Sequence, residues 1–170
     1  MLALALALVV HADPHPNGVR LPALRVELLE AKAEDQAARA EAKRSDSEAA
    51  RARFQASSKR SVALMRKIVT EHGWPGRALV GPDGAMAAWV LAQHLDEELA
   101  LQRQCLGLLE GAVADGEADA ESLAYLTDRV LVNEGKPQRY GTQGNGAVTA
   151  ADRARVNANR KALGLPPLGT

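Results

Sequence analysis

The chain has 170 residues, a length that fits one domain, and 46% hydrophobic with 25% charged residues is globular rather than disordered composition. Lys plus Arg and Asp plus Glu number 21 each, so bulk charge excludes a strongly basic nucleic-acid binder. A single cysteine, Cys105, leaves no disulfide framework or Cys-rich zinc module, and 3% aromatic residues are too few for base-stacking platforms, so no nucleic-acid partner, metal or cofactor is expected.

Leu2–Val10 is an unbroken run of Leu, Ala and Val, followed by small or apolar residues before Asp13. That is the form of a cleavable export signal, but no Lys or Arg precedes the run. An apolar segment packed on the domain fits as well. The first reading implies a secreted or periplasmic protein, the second a cytoplasmic one, and neither gives a membrane span, since the run is too short to cross a bilayer as a helix. Residues 1–20 are therefore read as this segment plus a Pro- and Gly-containing linker, and residues 21–170 as a single helical domain.

From Leu21 the apolar residues recur at helical spacing. Leu24, Leu28, Leu29, Ala31 and Ala38 predict a helix over Leu21–Arg44, and Ser45-Asp46-Ser47 breaks it or caps the next. Leu64, Ile68 and Val69 form the stripe of Glu48–Glu71, which Gly73 and Pro75 terminate. His72-Gly73-Trp74-Pro75-Gly76 reads as a rigid turn, Ala78–Val80 as a short extended piece, and Pro82-Asp83-Gly84 as the start of a helix over Ala85–Leu95. Further helices are predicted over Glu97–Ala114, stopped by Gly116, and Ala120–Asn133, capped by Asp119 and ended by Gly135. Lys136–Ala147 is a Gly-rich loop, and Thr149 caps a last helix, Ala150–Leu163. The predicted fold is all-α, a compact single-domain bundle of about five or six helices. Charge is segregated along it. Arg20–Lys67 holds twelve basic and seven acidic residues, whereas Asp83–Glu134 holds eleven acidic residues and two arginines, so the solvated faces complement one another or present an acidic surface to a partner.

Three segments carry more polar chemistry than bundle filler needs. In His72–Gly76, Trp74 is held between Gly73 and Pro75 and either plugs the core or walls a pocket. In Gln93-His94, His94 follows Met86 and Val90 at intervals of four, which places it on an apolar face, as a core histidine or as an acid–base group. In Thr127-Asp128-Arg129 and the loop Gly135–Gly144, residues Gln138, Arg139, Tyr140, Thr142 and Gln143 offer amide, guanidinium, phenol and hydroxyl groups within six positions, for a ligand or for one another. No nucleophile stands out, and His72, His94, Asp96, Asp35 and Asp128 lack the spacing that would tie two metal ligands to one face.

The joint pattern Glu34-Asp35-Gln36, His72–Gly76, Ala87-Ala88-Trp89 with Gln93-His94, Tyr125–Val130, Gly135–Gln143 and Val156–Leu168 resembles a family of bacterial proteins of unknown function. The resemblance extends from Leu24 to Leu168. Members of that family carry a longer, strand-like insertion after the Tyr-Gly-Thr-Gln motif, where this chain has Gly144-Asn145-Gly146. The resemblance implies a site at these motifs and no particular reaction. The residues are therefore read as one polar pocket, with His94, Asp128 and Arg139 catalytic and Trp74, Gln93, Gln138, Tyr140, Thr142 and Gln143 binding a small polar molecule or peptide. The pocket belongs to a hydrolase-like or other acid–base enzyme, to a binding module without turnover, or to a structural helical protein whose loop is a folded lock.

Overall fold

The computed structural model describes residues 18–144 and 148–169. The Leu2–Val10 segment lies outside the described residues, as do positions 145–147, which include Asn145 and Gly146 of the Gly144-Asn145-Gly146 stretch. Six helices make up the described residues: α1 (Pro22–Arg44), α2 (Glu48–Glu71), α3 (Arg77–Gln93), α4 (Leu99–Ala114), α5 (Ala120–Asn133) and α6 (Ala150–Ala162). The protein is all-helical, a single bundle with no strand among these residues. Helix α1 packs on both α2 and α3, α4 packs on α5, and α3 touches every helix from α1 to α5. Leu28, Met65, Ile68, Leu91, Leu95, Leu101, Leu109 and Leu126 fill the interior between them, all buried. Their removal from water supplies most of the folding drive.

Helices α1 and α2 form an antiparallel hairpin. Ser47 Oγ caps α2 by accepting from the Ala50 amide at 3.2 Å. The ion pairs Arg53–Glu41 (2.8 Å) and Arg60–Glu34 (2.5 Å) fix the register: the partner on α1 steps from 41 back to 34 as that on α2 steps from 53 to 60. Asp35 on α1 therefore lies level with positions 58–59 of α2.

Ala78–Val80 is one turn of helix instead of the expected extended piece, and α3 starts at Arg77 rather than Ala85. Gly81, at φ +75°, breaks the helix after that turn, and Pro82 restarts it. Pro82 has no N–H to give the Ala78 carbonyl. The Arg20 amide donates to that carbonyl instead (3.2 Å), and the Leu21 amide donates to Leu79 O (2.8 Å). The kink thus seats the start of α1, and Arg25 secures it with two bonds to Asp83 at 2.8 and 2.6 Å. The remaining predicted helices are observed with ends shifted by two residues or fewer, the range within which helix ends fray.

The turn before α3 depends on its glycines. Gly73 sits at φ +71°, and a Cβ on Gly76 would lie 2.7 Å from Glu117 Cβ. That close approach lets Glu117 accept from the Ala78 amide at 2.7 Å, joining the α2–α3 turn to the α4–α5 turn. Trp74 is buried here, and its indole N–H has no hydrogen-bond partner among the described residues.

Candidate functional site

Helix α1 buries Leu28, Ala31, Asp35 and Ala38 along one line. Asp35 therefore places a carboxylate where the helix faces the core, 1% exposed, and a charge so buried needs partners. Two are supplied. His94 Nδ1 lies 2.6 Å from Asp35 Oδ2, and Arg39 Nε, one turn along α1, donates to Asp35 Oδ1 at 2.9 Å. Arg39 Nη2 also donates to the His94 carbonyl at 3.4 Å, so the guanidinium holds both members of the pair. Burial pushes the Asp35 carboxyl up. The hydrogen bond from His94 and the positive charges of His94 and Arg39 outweigh it and hold the group below its ordinary value. Asp35 is thus an anion at neutral pH. In the neutral imidazole, an Nδ1–H donated to Asp35 leaves a lone pair on Nε2, which has no protein partner among the described residues.

His94 and Arg39 form part of the wall of an open cleft of about 1020 Å³. The outward face of α2 forms the other wall, in which Phe54, Ser58 and Val62 are half-buried. The Arg39 guanidinium stacks 5.1 Å above the Phe54 ring, and Arg66 reaches across to Glu98 at 2.9 Å. The imidazole thus has one nitrogen held by a buried carboxylate, beside a space large enough for a small molecule or a short peptide.

Asp96, two residues beyond His94, lines the same cleft and belongs to a second network. Arg129 grips it through Nε (2.8 Å) and Nη2, and Asn133 Nδ2 donates at 2.9 Å. Burial raises the Asp96 carboxyl, and these donors with the Arg129 charge more than reverse that, leaving it below its ordinary value. Gln102, fully buried, donates to Ala92 O at 3.2 Å and accepts from Asn133 at 3.0 Å, tying the end of α3 to α4 and α5.

The Gly-rich loop is organised around Asp128. This carboxylate, with no exposure, accepts from the backbone amides of Arg139 (2.6 Å), Tyr140 (3.0 Å) and Thr142 (2.8 Å) and from the Thr142 hydroxyl (2.9 Å). Gln138 closes the loop on itself, donating to Gln143 O and accepting from Gln143 N, both at 2.8 Å. Helix α6 holds the other side: Asn159 donates to Arg139 O at 3.0 Å and Arg160 to Tyr140 O at 2.9 Å. A Cβ on Gly141, at φ +68°, would meet Val148 at 2.8 Å. The buried Tyr140 completes this packing, while the Arg139 side chain lies on the surface over the Tyr140 ring at 5.5 Å.

The expected residues therefore fall in separate places. The lining of the cleft includes His94 and none of Asp128 or Arg139–Gln143, because the Asp128 carboxylate is taken up by loop amides and the loop is clasped between α5 and α6. The carboxylate on His94 is Asp35, not Asp128. Trp74 stands apart in a hollow of about 420 Å³ with Leu108 and Glu117. His94 follows α3 as its C-cap, and its imidazole meets Asp35 of α1. Gln93 gives its carbonyl to Gln102 at 3.3 Å, and its side-chain nitrogen is buried without a hydrogen-bond partner among the described residues. The loop reaches towards the cleft indirectly: Gln143 Oε1 accepts from Arg129 at 3.5 Å, and Arg129 holds Asp96.

Sequence reasoning did not pair Asp35 with His94, passed over Arg39, and named Arg129 without giving it Asp96 as a partner. A signal for Asp35 exists. It interrupts the apolar line between Ala31 and Ala38, where a carboxylate is tolerated only with buried partners. Cys105 is fully buried, and its thiol is pushed up to about 12 by that burial, which removes it as a nucleophile. Among the described residues no group of three or more His, Cys, Asp or Glu is placed to hold a metal ion, and no helix is long and apolar enough to cross a membrane. A family model described as a family of unknown function, DUF6624, matches residues 22–170. No curated protein and no solved structure matches the chain.

Proposed function

The chain belongs to the DUF6624 family, and because that family is of unknown function we propose from the site's geometry that it is a hydrolase-like acid–base enzyme. Its substrate is a small polar molecule or peptide, bound in the cleft between α2 and the corner His94–Glu98. The observation that carries this reading is the 2.6 Å contact between His94 Nδ1 and the buried Asp35, on a ring that also borders the cleft. Asp35 fixes the tautomer and orientation of the ring, and its charge stabilises the imidazolium that forms when Nε2 takes a proton. Arg39 anchors Asp35 and adds a fixed positive charge at the base of the cleft, where a polarised carbonyl or an anionic group of the substrate would gather.

The loop has a different role in this proposal. Asp128 with four donors is a saturated carboxylate, so the reading it favours for Gln138–Gln143 is a folded lock that supports α5 and, through Gln143 and Arg129, the position of Asp96. Arg139 is then a surface residue of the lock.

The test is a panel of ester, amide and phosphoester substrates offered to the purified chain and to His94→Gln. Turnover that falls about 10²–10⁴-fold in His94→Gln, with the melting temperature held, is the expected result. Wild-type turnover of no substrate, or turnover that survives His94→Gln, overturns the enzymatic reading. Saturable binding without turnover in the same cleft would identify a binding module instead.

A further inference from the structure

The acid–base pair lacks an assigned nucleophile, and the cleft contains one suitable group. Two hydroxyls line it, Ser58 and Thr70. Thr70 is engaged, donating to the Arg66 carbonyl one turn back at 2.8 Å. Ser58 has no hydrogen-bond partner among the described residues, although serines within helices commonly bond the preceding turn in this way. It is half-buried, with Phe54 and Val62 on either side of it along α2, and lines the cleft. The ion pairs Arg53–Glu41 and Arg60–Glu34 bracket this stretch of the hairpin and put Ser58 level with Asp35, the residue that holds His94. An uncommitted hydroxyl, an imidazole with one open nitrogen and the buried carboxylate behind it thus lie at one level of the molecule. The hydroxyl and the imidazole border the same space.

We infer that Ser58 is the nucleophile of a Ser58–His94–Asp35 acyl-transfer site whose substrates are esters or amides with a small acyl group. This rests on the acid–base reading of His94. Ser58 Oγ attacks the substrate carbonyl carbon and its proton passes to His94 Nε2. The scissile bond breaks, and the leaving alcohol or amine takes that proton. Water then gives a proton to His94 and its oxygen to the acyl carbon. The acyl–Oγ bond breaks, the acid leaves, and the proton returns to Ser58. No hydrogen bond joins Ser58 to His94 in the structure, and such contacts are often long until substrate tightens them. Arg39, whose Nη1 has no partner among the described residues and which lines the same cleft, is available to serve the oxyanion.

A fluorophosphonate ester tests this directly, because it phosphonylates an activated serine and remains attached. Intact-mass and peptide mapping of the full chain should find one adduct, on Ser58. Ser58→Ala should abolish it, and His94→Gln should slow it about 10²-fold or more. No adduct, an adduct on another serine, or labelling indifferent to His94→Gln overturns the assignment. Ester turnover separates this failure from failure of the acid–base reading. Loss in His94→Gln with retention in Ser58→Ala leaves His94 activating water and removes Ser58. Retention in both removes the two readings together. Ser58→Ala removes only a hydroxyl that has no hydrogen-bond partner among the described residues, so its melting temperature should match the wild type, which identifies any loss of labelling as chemical.

Discussion

Two buried carboxylates set two regions of this molecule apart. Asp128 has no exposure and spends its oxygens on three backbone amides and one hydroxyl of a single loop. Asp35 is equally buried but spends its oxygens on an imidazole and a guanidinium that border an open cleft. The first arrangement has no group left to change charge or to meet a ligand, so it holds shape. The second leaves His94 Nε2 with no partner among the described residues, on a ring beside a cavity, which is what acid–base chemistry requires. Burial of an acid therefore does not by itself distinguish scaffold from site. The nature of its partners does.

The comparison is broken most severely by removing the carboxylates one at a time. Asp128→Ala orphans several loop donors at once, and unmade buried hydrogen bonds cost roughly 1–3 kcal/mol each. Allowing for relaxation of the loop, we expect a loss of about 3–5 kcal/mol, read as a lowered midpoint in urea unfolding. Asp35→Asn should instead leave a folded protein whose turnover falls about 10²–10⁴-fold, since an amide neither fixes the tautomer of His94 nor stabilises its imidazolium. If Asp35→Asn unfolds the chain while Asp128→Ala slows catalysis, the two roles are reversed.

Acid sharpens the contrast in another way. The Asp35 and Asp96 carboxyls titrate below their ordinary values in the folded chain, despite burial, because His94 with Arg39 and Arg129 with Asn133 favour their anions. A depressed folded value means the unfolded chain binds protons first. Both groups therefore contribute stability above about pH 4, and that contribution is lost as pH falls through their lower folded values. Circular dichroism followed from pH 6 to pH 2 should show stability falling across this range. Asp96→Asn should make the fall shallower, and an unchanged slope would show that the Arg129 pairing carries none of it.

The smallest effect expected is at Arg139. Its side chain is exposed and lies over the Tyr140 ring, an interaction worth about 0.5–1 kcal/mol at such a site. Arg139→Ala should lower stability by no more than this and leave turnover unchanged. A large loss of turnover would return the loop to the active site.

Much of the fold is legible in the chain because its signals are local. Ser47, Thr149, Gly116 and Gly135 mark helix ends, and the stripes through Leu64 and Ile68 or Leu123 and Leu126 mark buried faces. The turn at Ala78–Val80 was hidden because Gly81 and Pro82 look like breakers of any structure, and only the amides of Arg20 and Leu21, far away in sequence, satisfy the carbonyls that the kink leaves open. The site is less legible for the same reason. Gln138, Arg139, Tyr140, Thr142 and Gln143 are chemically rich in sequence, yet what they bond is mostly one another, Asp128 and α6. His94 reads as part of the Met86–Val90 face, and nothing local to it names its partner, a carboxylate 59 positions earlier in the chain.

The central claim is that Asp35 holds the proton of neutral His94 on Nδ1 and so keeps Nε2 bare towards the cleft. Two-bond ¹H–¹⁵N correlation spectra of the imidazoles, recorded at a pH where the ring is neutral and assigned by His94→Gln, read this directly. A protonated Nδ1 and an unprotonated Nε2 are expected for His94 in the wild type, with that preference lost in Asp35→Asn. A proton residing on Nε2 in the wild type, or a tautomer indifferent to Asp35→Asn, would contradict it.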